Sequence, residues 1–200
     1  IILIDDCSNY RNLSDLSLNP TFTSVKKQKN TYIGFQYNIL PSILSSDKTK
    51  FDKQINNISK SNKTIFISFG GYDKNNLTEK VIKYLDRLDH NYIYLLNSKF
   101  KKTKKYKLRN KIIYYNEMNY FTNLKKADIV LSAGGLTMFD SIFLRKFTIC
   151  LPQYAHQEKN ISILHKKNIV NKIDLNNLKK LDALILSSTS SSMLIISIFS

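Results

Sequence analysis

Glycine is scarce in this chain, with five residues in two hundred. Neither a G-x-G-x-x-G dinucleotide fingerprint nor a G-x-x-x-x-G-K-[ST] phosphate loop can be read from them, which argues against a nicotinamide enzyme and a P-loop ATPase. Cysteine is scarcer still. Cys7 and Cys150 lie too far apart to suggest a disulfide framework, and no His/Cys/Asp spacing matches a metal site. Both cysteines sit at or beside apolar runs and read as small buried thiols. No G-x-S-x-G elbow or Ser-His-Asp arrangement is present. No run reaches the roughly 18–20 apolar residues of a membrane span. With no signal peptide either, the expected location is cytoplasmic. Acidic residues are few, 15 against 31 Lys and Arg, giving a net charge of +16.

Such a charge raises nucleic acid or an anionic membrane as partners. The pattern favours a blander origin. Lysine far outnumbers arginine, Asn and Ile are abundant beside it, and the charge is spread along the chain. The one dense run, over 99–111, reads as a solvated loop between strands. With no nucleic-acid motif beside it, nucleic acid is not the expected partner.

Hydrophobic residues make up 42% and aromatics 12%, ample for a packed core in one or two domains. The sequence opens without methionine on an apolar run over 1–4, which reads as a fully buried strand followed by Asp5-Asp6. Shorter strand-like runs follow over 15–19, stopped by Pro20, and over 31–35. A helix is expected over 48–60. Then a regular alternation begins. Strands are expected over 63–69, 91–96, 112–115, 128–131 and 147–151, with a short one over 168–173. Helices are expected after Asn76 or Thr78, over 118–126, after Gly135, over 155–167 and from Asp174. Alternation of this kind implies a parallel sheet covered on both faces. The serine-rich run over 187–192 and the apolar stretch over 193–200 do not fit it.

Four of the five glycines fall in two pairs, Gly70-Gly71 and Gly134-Gly135, each after a strand and before a helix. Both pairs belong at the C-terminal edge of one sheet, where open α/β sheets place their ligands. The second pair matters most. A strand, a glycine pair and a helix N-terminus bring backbone N–H groups and the helix dipole to bear on an anion. The helix that follows carries Thr137 and Asp140 near its start. A carboxylate there suits sugar hydroxyls better than phosphate. A third segment, Leu151-Pro152-Gln153-Tyr154-Ala155-His156-Gln157-Glu158-Lys159-Asn160, brings His156, Gln157 and Asn160 toward the same edge. A lone histidine at a helix start more often caps or faces solvent than catalyses.

Three segments in this order and spacing carry a resemblance: Gly70 to Thr78, Ala127 to Asp140, and Leu151 to Asn160. Together they resemble the C-terminal half of the pseudaminic acid pathway UDP-sugar hydrolases (UDP-2,4-diacetamido-2,4,6-trideoxy-β-L-altropyranose hydrolase) and their spore-coat polysaccharide glycosyltransferase-like relatives. More distantly they resemble the UDP-GlcNAc transferase of peptidoglycan synthesis. The resemblance extends over roughly residues 1–165. It implies a GT-B fold of two Rossmann-like domains, with UDP held mainly by the C-terminal one. On that basis residues 1–47 would be a remnant of the N-terminal domain and the crossing segment. Residues 48–186 would form the UDP-sugar-binding domain, and 187–200 an irregular tail.

By position, the resemblance places Gly70 and Gly71 near the diphosphate and directs Gly134, Gly135, Leu136 and Thr137 onto it. Asp140 stands where the family has glutamate, on the ribose hydroxyls, one methylene shorter. Gln157 and Asn160 match the Gln/Asn motif near the sugar, and 116–118 would border the uracil. The expected partner is a UDP-sugar, with no cofactor and no metal. The family's Gly-x-Gly-His-type loop, whose histidine is thought to act as base, has no counterpart here, and His90, His156 and His165 lie in no such loop. A missing N-terminal half or a partner chain would supply it. Hydrolysis, transfer to an acceptor, and UDP-sugar binding without catalysis all remain open on the sequence.

Overall fold

The structure, a computed structural model, describes residues 1–4, 13–21, 29–39, 62–102 and 108–188, the side chains of 101 and 102 apart. Asp5-Asp6, Cys7, the expected helix over 48–60, the 47/48 boundary, the middle of the basic run and the stretch over 193–200 lie outside those residues.

Three short strands form a first parallel sheet in chain order: β1 (Ile2–Ile4), β2 (Leu16–Asn19) and β3 (Thr31–Ile33). The expectation of a fully buried first strand is corrected here, since Ile2 and Ile4 are more than half exposed. The reason is position. β1 is an edge strand that pairs with β2 alone among the described residues. The expected strand over 31–35 ends at Ile33, and Phe35–Tyr37 forms a 3-10 turn instead.

The second sheet carries the alternation. Its elements are β4 (Lys63–Ser68), α1 (Leu77–Leu85), β5 (Tyr92–Asn97), β6 (Lys111–Tyr115), α2 (Tyr120–Lys126), β7 (Ile129–Ser132), α3 (Leu136–Phe143), β8 (Phe147–Cys150), α4 (Ala155–Lys166), β9 (Asn171–Lys172) and α5 (Lys179–Ser187). The spatial order is β6-β5-β4-β7-β8-β9, and every pairing is parallel. The chain enters in the middle at β4 and runs outward through β5 and β6. It then returns to the other side of β4 with β7. The order of strands therefore reverses between β4 and β7, which makes that junction the switch point where such sheets bind ligands.

Period-two alternation sends neighbouring side chains to opposite faces. Ile65, Ile67, Tyr94, Leu96, Ile129 and Leu131 pack on one side with Leu77, Val81 and Leu85 of α1 and Leu181 and Ile185 of α5. Phe66, Leu95, Tyr115 and Val130 pack on the other with Leu124 of α2. On that second side Cys150 of β8 joins Met138 and Ile142 of α3 and Ile161 and Leu164 of α4. The sheet is thus Rossmann-like, with helices on both faces.

Several boundaries move. The expected helix from Met118 starts as a 3-10 turn, Glu117–Asn119, closed by reciprocal Asn116 and Asn119 side-chain bonds. Its α-helical part begins at Tyr120. The expected strand over 168–173 shrinks to Asn171–Lys172. Neither Asn76 nor Thr78 caps α1 through its side chain. Asp73 does so, its carboxylate accepting from Leu77 N and Thr78 N, both at 2.8 Å.

Candidate functional site

β4 and β7 are neighbours in register, with Ser68 beside Ser132 at their C-terminal ends. Gly70, Gly71 and Gly135 consequently open onto one cleft of about 880 Å³. Gly70, Gly71, Gly135, Leu136, Thr137 and Gln157 line it. Gly134, Asp140 and Asn160 do not appear on its wall, and each is buried. Of the nine residues expected at the site, six therefore face the cleft and three stand behind it.

Gly134 has a geometric reason to be glycine. Its φ is +89°, and a Cβ there would lie 2.7 Å from Ile161 Cδ1 on α4. The close turn lets α4 pack against the strand-to-helix loop. Gly135 differs, since a Cβ would meet nothing within 4 Å. It is the N-cap of α3, and no side chain caps that helix. Met138 N donates to Gly135 O at 3.0 Å, so the N–H groups of Leu136 and Thr137 and the positive end of the helix dipole are left for a group in the cleft.

Behind this helix end lies a line of hydroxyls. Ser68 Oγ is 3.3 Å from Thr137 Oγ1, Thr137 Oγ1 is 3.1 Å from Tyr120 Oη, and Tyr120 Oη is 3.0 Å from Asp140 Oδ2. Burial drives the Asp140 carboxyl up to about 6, and the bond from Tyr120 partly offsets this. Burial likewise raises the Tyr120 phenol far above its usual range, and the Asp140 charge adds to the effect. Tyr115, which stacks on Phe66 with ring centroids 4.5 Å apart, is pushed up to about 12 by burial. Tyr120 meets Phe66 edge-on at 5.5 Å and Phe121 at 4.8 Å. These rings fix the direction of its hydroxyl.

The cleft's other rim is tied together by Gln153. Its Nε2 donates to Phe69 O at 2.7 Å, and its Oε1 accepts from Asn75 N at 3.2 Å. Gln157 Oε1 in turn accepts from Gln153 N at 2.9 Å. The loop after β4 and the loop after β8 are joined through this one side chain. Lys99 brings a cationic side chain to the cleft wall, with its Nζ 3.6 Å from Glu117 Oε1.

The histidines lie elsewhere. His156 is exposed and stacks on Tyr154. His90 precedes β5 and faces Asp182 at 3.6 Å. His165 Nδ1 is 2.9 Å from Val170 O. Cys150 is a free, fully buried thiol whose pKa burial pushes well above its usual value. Among the described residues no group of three His, Cys, Asp or Glu side chains gathers as for a metal ion. Likewise, among them no helix is long and apolar enough to cross a membrane.

Sequence reasoning missed Tyr120, Ser68, Asp73 and Gln153 as site residues. Gln153 carried a usable signal: a polar side chain directly after Pro152, two residues beyond the end of β8, at the ligand-binding edge. Tyr120 carried none. It sat inside the run over 118–126, read only as a short helix.

The sheet order, the switch point and the glycine-opened α3 define a Rossmann-like sheet with a ligand-binding edge. Likeness to solved structures makes it half of a GT-B fold. The chain is similar to spinosyn rhamnosyltransferase SpnG in complex with thymidine diphosphate, with a TM-score of 0.59 and 15% identity over 89% of this chain and 49% of that one. It is similar to MurG of Acinetobacter baumannii, with a TM-score of 0.60 and 15% identity over 90% of this chain and 54% of that one. In sequence it is 34% identical over 151 residues to the uncharacterized protein MJ1062 of Methanocaldococcus jannaschii, covering 69% of this chain and 31% of that protein. No protein-family model matches the sequence. The chain spans about half the length of these solved structures and about a third of the curated relative.

Proposed function

We propose that this chain is the nucleotide-holding part of a UDP-sugar enzyme of surface-glycan or nonulosonic (pseudaminic) acid synthesis, acting as a hydrolase. The observation that carries the reading is the uncapped N-terminus of α3. It opens behind Gly134-Gly135 at the switch point and faces the same cleft as Gly70-Gly71. The N–H groups there would bind the diphosphate and stabilise the charge that develops on UDP as water attacks the sugar. Gln157, with Asn160 behind it, would stand toward the sugar, and Asn116 and its neighbours toward the uracil. The thymidine diphosphate complex of a protein with the same fold supports a nucleoside diphosphate as ligand. Residues 48–186 would be the domain that carries this site, with the catalytic base supplied from outside the described residues.

A second reading, transfer to an acceptor, is supported by the glycosyltransferases that share the fold. Both readings require the same donor site. Calorimetric titration with UDP tests it. Micromolar binding that Asp140→Ala weakens is the expected result. Absence of heat from a folded chain would overturn both readings.

A further inference from the structure

Asp140 is the acidic residue at the start of α3, yet it does not reach the cleft, and the carboxylates that do, Asp73 and Glu79, are engaged by the Leu77 and Thr78 N–H groups and by Lys83. Asp140 is only 8% exposed, and the cleft wall next to it is made by Tyr120 and Thr137. Tyr120 Oη has a single proton and two neighbours to choose between, Asp140 Oδ2 at 3.0 Å and Thr137 Oγ1 at 3.1 Å. A carboxylate is the stronger acceptor, so the proton points to Asp140. The Tyr120 oxygen is left as an acceptor. Thr137 Oγ1, the other acceptor within reach of that proton, is 3.3 Å from Ser68 Oγ, which can donate to it instead. The Tyr120 lone pairs remain for a donor in the cleft. The ring cannot swing away, because Phe66 and Phe121 hold it edge-on.

We infer that the Tyr120 hydroxyl is the group that reads the nucleotide's ribose hydroxyls, with Asp140 behind it as a positioning residue that fixes the direction of the phenolic proton. This rests on the reading of the cleft as a UDP site.

The test compares UDP with 2′,3′-dideoxy-UDP by calorimetry on the wild-type chain and on Tyr120→Phe, which keeps the ring and removes only the oxygen. Near-ultraviolet circular dichroism checks that the packing persists. One neutral hydrogen bond corresponds to roughly three- to tenfold in affinity. The wild type is expected to prefer UDP by at least that factor. Tyr120→Phe should weaken UDP, leave the dideoxy compound unchanged and erase the preference. Asp140→Asn, which still accepts from Tyr120, should retain most of the preference, whereas Asp140→Leu should lose it. A folded Tyr120→Phe with the wild-type preference would overturn the inference while leaving the nucleotide site standing. A wild type that binds both compounds equally would do the same. A wild type that binds neither would overturn the nucleotide site, and the inference with it.

Discussion

A carboxyl group shut away from water is uncomfortable when charged, and Asp140 shows the consequence for stability. Its folded-state value of about 6 lies above the ordinary 3.8. Between those values the folded chain holds a proton that the unfolded chain has released, so folding is favoured at low pH. That contribution is complete below about pH 4 and is lost as pH rises through 6. Asp140→Asn is neutral throughout. It should resist urea better than the wild type at pH 8, by about 3 kcal/mol at most from the size of the shift, with the gain vanishing toward pH 4. A gain equal at both pH values would show that another group titrates. The glycines give a paired prediction. Gly134→Ala forces a side chain to a φ of +89° and into Ile161, and should cost more than about 1 kcal/mol in urea unfolding. Gly135→Ala meets no neighbour. It should leave stability nearly unchanged but weaken UDP, since its methyl stands at the mouth of α3.

At the scale of elements, the sequence was readable where short runs are apolar throughout. β4, β5, β7 and β8 are buried on both faces, so runs such as Ile65, Phe66 and Ile67 mark them without any alternation. The helices were readable from leucine spacing, but their starts were not. Asn76 looks like a cap, yet it sits in the left-handed region with φ 51° and makes no side-chain cap bond. Asp73, three residues earlier, takes both orphan N–H groups across a turn that no local propensity announces. Asp73→Ala should therefore destabilise the chain by about 1–2 kcal/mol, measurable by urea unfolding. The glycine pairs were legible because a glycine-poor chain keeps them for backbone reasons. Tyr120 was not, because its role comes from β4, α2 and α3 meeting in space. β1 misled because an apolar run of four specifies a strand but not what covers it.

At the scale of the whole molecule, a ligand held between β4 and β7 touches the two central strands of the second sheet, and their unfolding is the unfolding of that core. Nucleotide at a hundred times its dissociation constant should therefore raise global stability by about 3 kcal/mol. A thermal-shift series against UDP concentration reads this directly. A shift seen only with vast excess, and equally with inorganic phosphate, would instead indicate nonspecific charge neutralisation on a chain of +16.

The Gln153 amide has a consequence of this kind. It clasps Phe69 O and Asn75 N with its two ends, while the Gln153 backbone N–H donates to Gln157 Oε1. The loop that follows β4 and the loop that follows β8 are accordingly one mechanical part rather than two flaps. A fragment that settles against the glycines has already set the position of Gln157 for whatever is attached to it. The two ends of a nucleotide-sugar are then felt as a single event, and phosphate and sugar offered as separate molecules should each bind better in the presence of the other.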